Sequence, residues 1–278
     1  MVDSKNFFVI KGSGDREQFS PEKYRRSLER AGLSPAEIDA IWSTITPQLH
    51  NDMSTRELYR KTYQLLAHTE RRSASLYSLK DALRLMGPTG FPFEKLVAKI
   101  LEHEGYQIKV DQKLQGKCVT HEIDILAALD HQHTLVECKF HHLVGVKSDV
   151  QTSLYVKARF DDIVSVHKTP ISSCMLVTNT QFTNQAIQYG ECSHITMIGW
   201  SYPRDRGIEH FIEKYRLFPI TMLTHLRHDD AVKLLDAGII LCSDLIQHEE
   251  KLYAFGIPGH IVHQLVAEAQ NLCSGRTT

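Results

Sequence analysis

The sequence predicts a multidomain α/β protein with a small hairpin-plus-helices N-terminal domain, a layered α/β core and an all-α C-terminal tail domain. Three observations predict it. Breaks at Gly87–Pro92 and at 215–219 divide the 278 residues into three stretches, and that length exceeds what one core usually fills. The middle stretch alternates helical periodicity with short apolar strands. The last is helical, interrupted only at Gly238-Ile239 and Gly256-Ile257-Pro258-Gly259. The domains are placed accordingly at 1–88, 89–216 and 217–278.

In the first stretch, Phe7 to Ile10 is a short β signal, Gly12-Ser13-Gly14 a turn, and Arg16 to Phe19 the returning strand. Ser20-Pro21-Glu22-Lys23 opens a helix that ends at Ala31-Gly32, with an N-cap and a proline at the first helical position. Ser34-Pro35-Ala36-Glu37 opens a second by the same grammar, with Glu37 at the capping-box position. A third starts at Ser54-Thr55-Arg56-Glu57, and a fourth spans Ser75 to Met86.

The middle stretch begins with a helix from Phe93 to Glu104, closed by Gly105. Strands are expected at Tyr106 to Val110, Ile123 to Leu129 and, after a turn at Asp130 to His133, Thr134 to Phe140. Helix Asp149 to Val166, strand Cys174 to Thr178, helix Thr183 to Tyr189 and strand Ile195 to Ile198 complete it. That order is an α/β layer pattern. The tail, Thr221 to Cys273, repeats a glycine-centred turn between helices.

Composition narrows the function classes. Hydrophobic residues make up 42% and charged residues 23%, which excludes a mainly disordered chain, a collagen repeat or a coiled-coil rod. The formal net charge is -1, so any DNA contact must come from a local basic groove. The three stretches carry +3, -1 and -3. There is no apolar run long enough for a membrane helix, and Phe7 to Ile10 is too short for a signal-peptide core. The six cysteines form no CxxC pair, so reduced thiols in a cytoplasmic protein are expected. His131, His133, His141 and His142 flank the central hairpin; as hairpin-end residues they are expected to be exposed rather than to bind zinc.

The chemistry concentrates in His121-Glu122-Ile123-Asp124-Ile125 and Leu135-Val136-Glu137-Cys138-Lys139-Phe140. Strand alternation puts Glu137 and Lys139 on one face and turns Cys138 to the core. A hairpin partner carrying Asp124 brings a second carboxylate beside Glu137. Two carboxylates and a lysine suit a hard divalent cation with an ammonium near a reacting phosphate. On spacing alone, an ordinary cross-strand Glu–Lys pair fits as well. On the following helix, Gln151, Tyr155 and Arg159 share a face, with Gln151 nearest the site in sequence.

These residues, with Phe93-Glu94 and Leu101 to Tyr106 before them and Leu176-Val177-Thr178, Phe182-Thr183 and Ala186 after, resemble the PD-(D/E)XK nucleases of the Mrr-like restriction endonuclease type over roughly 91–200. The resemblance implies a restriction-endonuclease-like core that hydrolyses DNA with Mg²⁺ or Mn²⁺. It implies metal binding at Asp124 and Glu137, catalysis by Lys139 and a helix-one acid at Glu94. Cys138, between the two strand residues, is expected as a further metal contact, and Gln151, by its place after the site strand, as a residue of the site. Glu122 stands where the family often has glycine, and Glu137 where many members have Gln.

Val9, Lys11, Gly14, Glu17, Lys23 and Thr55 resemble the ATP-cone, a nucleotide-sensing module. This implies ATP or dATP as an effector, with turn amides and the two lysines at the phosphates; Gly12 replaces the usual basic residue. The tail resembles a helix-hairpin-helix domain in its two turns, which implies DNA phosphate contact or a protein interface. Taken together, the expected partners are DNA, a nucleotide and a second copy of the chain. The alternative is a nucleotide-responsive DNA-binding or assembly protein with a silent nuclease fold.

Overall fold

The computed structural model describes residues 7–11, 14–31, 33–69, 74, 77–143, 145–166 and 171–274. Gly12 and Ser13 of the first turn, and Ser75 at the start of the expected fourth helix, lie outside the described residues.

The N-terminal unit is built around a three-stranded sheet. β1 (Phe8–Ile10) pairs antiparallel with β2 (Arg16–Gln18) and parallel with β3 (Met53–Ser54). The capping grammar is realised in α1 (Pro21–Arg30), α2 (Pro35–Ile45) and α3 (Thr55–Thr69). Ser20 Oγ accepts from Lys23 N, Ser34 and Glu37 close a full capping box, and Ser54 Oγ accepts from Glu57 N. Such caps contribute about 1 kcal/mol each. Phe7, Leu28, Ile38, Ile45, Met53 and Leu66 form the core.

α4 (Leu79–Arg84) buries Leu79, Ala82 and Leu83 in a different core, shared with the rest of the chain. α5 (Phe91–His103) follows, its Phe93, Leu96, Val97, Ile100 and Leu101 spaced to bury one face. β4 (Gln107–Gln115), β5 (Thr120–Leu129) and β6 (Gln132–Lys139) form an antiparallel meander. β6 then runs parallel to β8 (Ile171–Thr178), and β8 parallel to β10 (Ile195–Ile198). The sheet order is β10-β8-β6-β5-β4. The crossovers are α6 (Val150–Val164) and α7 (Asn184–Cys192), and β7 (Lys147–Ser148) pairs with β9 (Gln181–Phe182) beside them.

Two differences from the sequence expectation have physical causes. The β4–β5 hairpin runs on past Val110 and starts before Ile123, because the added residues are mostly polar edge positions that apolar periodicity does not mark. The β5–β6 turn is tighter than expected, since Asp130 and His131 both take positive φ (48° and 66°) and make a two-residue reversal.

The C-terminal helices are α8 (Ile208–Tyr215), α9 (His228–Asp236), α10 (Cys242–Gln247), α11 (Glu249–Ala254) and α12 (Gly259–Ser274). α9 and α11 end alike. Gly238 and Gly256 take φ of 81° and 77°, and the next residues donate back: Ile239 N to Leu234 O at 2.9 Å, Ile257 N to Leu252 O at 3.1 Å. Both are Schellman closures, each followed by a buried isoleucine. Leu234, Leu245, Val262 and Leu265 pack in one cluster with α4, α5 and the Val136 face of the sheet. The opposite face packs Leu135, Cys174 and Leu176 against Val156 and Ile163 of α6.

Candidate active site

The β5–β6 register pairs Ile125 with Val136, which sets Asp124 opposite Glu137 one step further on. The ladder ends there. In its place the Asp124 carboxylate enters the sheet edge and accepts from Cys138 N at 2.7 Å. Glu137 lies on the α6 side with its side chain only 18% exposed. Cys138 is buried on the other side, and burial pushes its thiol well above the usual range. Only its main chain is available to a cation. Lys139 is exposed at the strand end.

Glu94, in the first turn of α5, completes the acidic group. Burial pushes Glu94 up to about 7, and the charges of Asp124 and Asp111 add to the effect. Burial also pushes Glu137 up to about 7, helped by Asp124 and opposed by Arg159 and Lys139. Asp124 is raised by burial, against its Cys138 hydrogen bond and the charges of Arg159 and Lys139. Crowded, partly dehydrated carboxylates of this kind are relieved by a divalent cation. Among the described residues, no three His, Cys, Asp or Glu side chains stand together as a metal-binding group; carboxylate and main-chain oxygens of this kind suit a hard divalent cation.

Asp111 escaped the sequence reading. β4 pairs with β5 at Val110↔Ile125 and Gln112↔Ile123, skipping Asp111 and Asp124. Asp111 takes φ of 51° at that break, an αL conformation that Asp tolerates better than most residues. No sequence signal marks it, because Val110 reads as the end of a strand. Glu122 goes elsewhere: its carboxylate is 80% exposed and pairs with Lys113 at 3.1 Å.

The chain leaving Lys139 is clasped. Thr178 Oγ1 donates to Lys139 O at 2.7 Å, and the Asn179 amide exchanges two hydrogen bonds with the His141 backbone, at 2.9 and 2.8 Å. His141 Nε2 meets Ser148 Oγ at 3.0 Å, and burial lowers the pKa of the ring. Contrary to the exposure expected of it, His141 is half-buried and structural; His131 and His142 are exposed.

On α6, Arg159 rather than Gln151 reaches the acidic group. Arg159 Nη1 donates to Glu137 Oε2 and Nη2 to the Tyr155 hydroxyl, with the guanidinium carbon 4.5 Å from the Tyr155 ring centre. Gln151 is exposed, and among the described residues no hydrogen bond joins it to the carboxylates.

The expected nucleotide residues divide into two groups. Lys11 and Lys23 both pair with Glu17, Lys23 at 2.8 Å, and the hydrogen bond from Lys11 is the chief cause of the lowered Glu17 pKa. Gly14 takes φ of 88° and donates to Lys11 O at 2.9 Å. Parallel pairing of Ile10 with Ser54 brings Thr55 level with Lys11. Val9 is buried and structural.

Comparison with known proteins follows this division. Residues 7–83 match the ATP cone domain, 86–200 the restriction endonuclease domain, and 218–273 the AF1548-like C-terminal domain. An uncharacterised protein of Archaeoglobus fulgidus is 36% identical over 179 residues, 63% of this chain and 99% of its own. The chain belongs to the AF1548-like family. The crystal structure of AF1548, a protein of unknown function, superposes with a TM-score of 0.57 at 33% identity, covering 67% of this chain and all of that one. Can2 from Sulfobacillus thermosulfidooxidans, solved with cyclic tetra-adenylate, aligns at 13% identity and a TM-score of 0.34 over 74% of this chain and 68% of its own. About a third of this AF1548-like chain thus lies outside each of these two alignments. The fold is nuclease-like and is joined to a nucleotide-binding type of domain. Among the described residues no helix is long and apolar enough to cross a membrane.

Proposed function

We propose that this protein is a metal-dependent DNA endonuclease whose cutting is governed by ATP or dATP bound to the N-terminal domain. The observation that carries the reading is the convergence of Asp124, Glu137 and Glu94, each raised in pKa chiefly by burial and further by a neighbouring carboxylate, next to Lys139. A divalent ion held by Asp124, Glu137 and the Cys138 main chain supplies Lewis acidity to the phosphate and lowers the pKa of a bound water. Lys139 orients the attacking water and offsets charge developing on the phosphate. Glu94 holds a proton near neutral pH and, as it releases it, orders water on the α5 side of the site. Lys11 and Lys23, now tied to Glu17, exchange that carboxylate for nucleotide phosphates, and the exchange alters assembly with a second copy of the chain.

The test is nicking of supercoiled plasmid with Mg²⁺ or Mn²⁺, in the parent protein and in Asp124→Ala, over a range of ATP and dATP. Cleavage that needs the metal and disappears in Asp124→Ala supports the enzyme. Absence of cleavage in the parent under all these conditions defeats it. A rate indifferent to either nucleotide, in protein that calorimetry shows to bind one, defeats the regulatory part alone.

A further inference from the structure

We propose that Arg159 is a built-in counter-cation that competes with the metal ion for Glu137, so that metal loading requires the guanidinium to leave. This rests on the metal site proposed above and adds a control on its occupancy. Arg159 and Glu137 are both largely shielded, with side chains 13% and 18% exposed. A carboxylate so placed needs a positive partner, and among the described residues the one bonded to it is Arg159. The same oxygen is wanted by a divalent ion.

The guanidinium is held for exchange rather than for permanence. Its Nη2 bonds to an exposed tyrosine and its plane lies near the Tyr155 ring, while the buried Nε has no partner. A structural arginine in a packed interior normally has its donors satisfied. An orphan Nε marks a side chain whose full complement of partners is not met in this state. A cavity of about 10 Å³, room for about one water, adjoins the pair between Glu137, Arg159, Phe160 and Val156.

The consequences run in one direction. With Arg159 in place, a cation approaching Glu137 must displace one positive charge and is repelled by it. Neutralising Arg159 removes both obstacles, so metal binds more tightly. Lysine, which keeps the charge on a flexible stem, restores the competition in part. Arg159 is thus a positioning residue that acts through Glu137. A purely structural role predicts the opposite, since loss of the partner would loosen the site and weaken binding.

The experiment is calorimetric titration of the full chain with Mn²⁺ at pH 8, comparing the parent with Arg159→Gln, Arg159→Lys and Asp124→Asn. We expect Arg159→Gln to bind Mn²⁺ about tenfold more tightly than the parent, with Arg159→Lys in between and Asp124→Asn binding least. Equal or weaker binding in Arg159→Gln, while Asp124→Asn still abolishes the signal, overturns the competition and leaves the metal site standing. A parent that binds no Mn²⁺ overturns the metal site itself. Circular dichroism of each variant shows whether the fold is retained, and Arg159→Lys decides the matter if Arg159→Gln is unfolded.

Discussion

The outer arm of the β4–β5 hairpin runs from the mid-strand ladder break at Asp111 and Asp124 to the loop at Gly116, and its two ends treat aspartates in opposite ways. At one end, Asp124 faces Asp111 across a broken ladder and adds charge to Glu137 and Glu94, and burial raises the pKa of Asp124 itself. At the other, Asp162 of α6 closes the hairpin loop. It bonds His121 Nε2 at 2.8 Å and accepts from Cys118 N at 2.9 Å, and its pKa falls to about 2, chiefly through His121. One end crowds together carboxylates that burial raises in pKa, and the other satisfies a single charge several times over. Crowded, partly dehydrated charge on a rigid sheet is a mark of chemistry, whereas fully satisfied charge is a mark of construction.

Substitution at the two ends should have opposite signatures. Lys139→Ala is expected to lower cleavage at least a hundredfold, about 3 kcal/mol of barrier, with DNA binding unchanged within a few-fold. Asp162→Asn should lower the melting temperature while the rate per folded molecule stays within a few-fold. Plasmid nicking beside thermal melts reads both, and similar profiles for the two variants would erase the contrast.

Acid and base should separate the ends next. Glu94 and Glu137 titrate near 7 in the folded protein and near 4.5 when exposed. Their contribution is fully present below about 4.5 and lost as pH rises through 7. Asp162 runs the other way, its contribution present above 3.8 and lost as pH falls through about 2. Metal-free protein should therefore melt at a lower temperature at pH 8 than at pH 5.5. Glu137 accounts for about 1 kcal/mol of that, after allowance for its partial screening. Glu137→Gln should flatten the slope; an unchanged slope in that variant contradicts the assignment.

A local effect is expected at Gly116. A Cβ there would lie 2.1 Å from Asp162 Oδ2 and 2.8 Å from the Val119 carbonyl oxygen. Gly116→Ala should cost about 1–3 kcal/mol in urea unfolding, and less when Asp162 is already alanine, because the two sites share contacts. Full additivity would mean that Asp162 does not set the loop.

Much of the core fold and most of the acidic group were legible in the sequence. Apolar alternation marks β5 from Ile123 onward and β6 from Thr134 onward, and that alternation alone puts Glu137 and Lys139 on one side and Cys138 on the other. Glu94 comes from the resemblance to the Mrr-like nucleases, and the structure places it in the first turn of α5. Asp111 was hidden because its role depends on a left-handed residue breaking a polar edge strand, and polar edges leave no periodic trace. Arg159 lies on the same helix face as Gln151, and its contact with Glu137 is not marked by nearness in sequence, which differs from nearness in space. α6 runs back over the sheet from a loop beyond Lys139, so later helix residues return toward Glu137.

The shared core carries a consequence for synthesis. Leu79 of α4, Val136 of the sheet and Leu265 and Leu272 of α12 belong to one cluster, while the N-terminal cluster closes with residues from Phe7 to Ala74. As the chain emerges from the ribosome, the N-terminal unit can complete its interior early, because domains fold as units in the order they are made. The sheet cannot seal its Val136 face until α12 has been translated. The residues that would sense a nucleotide thus stand ready before the acidic site has its finished support.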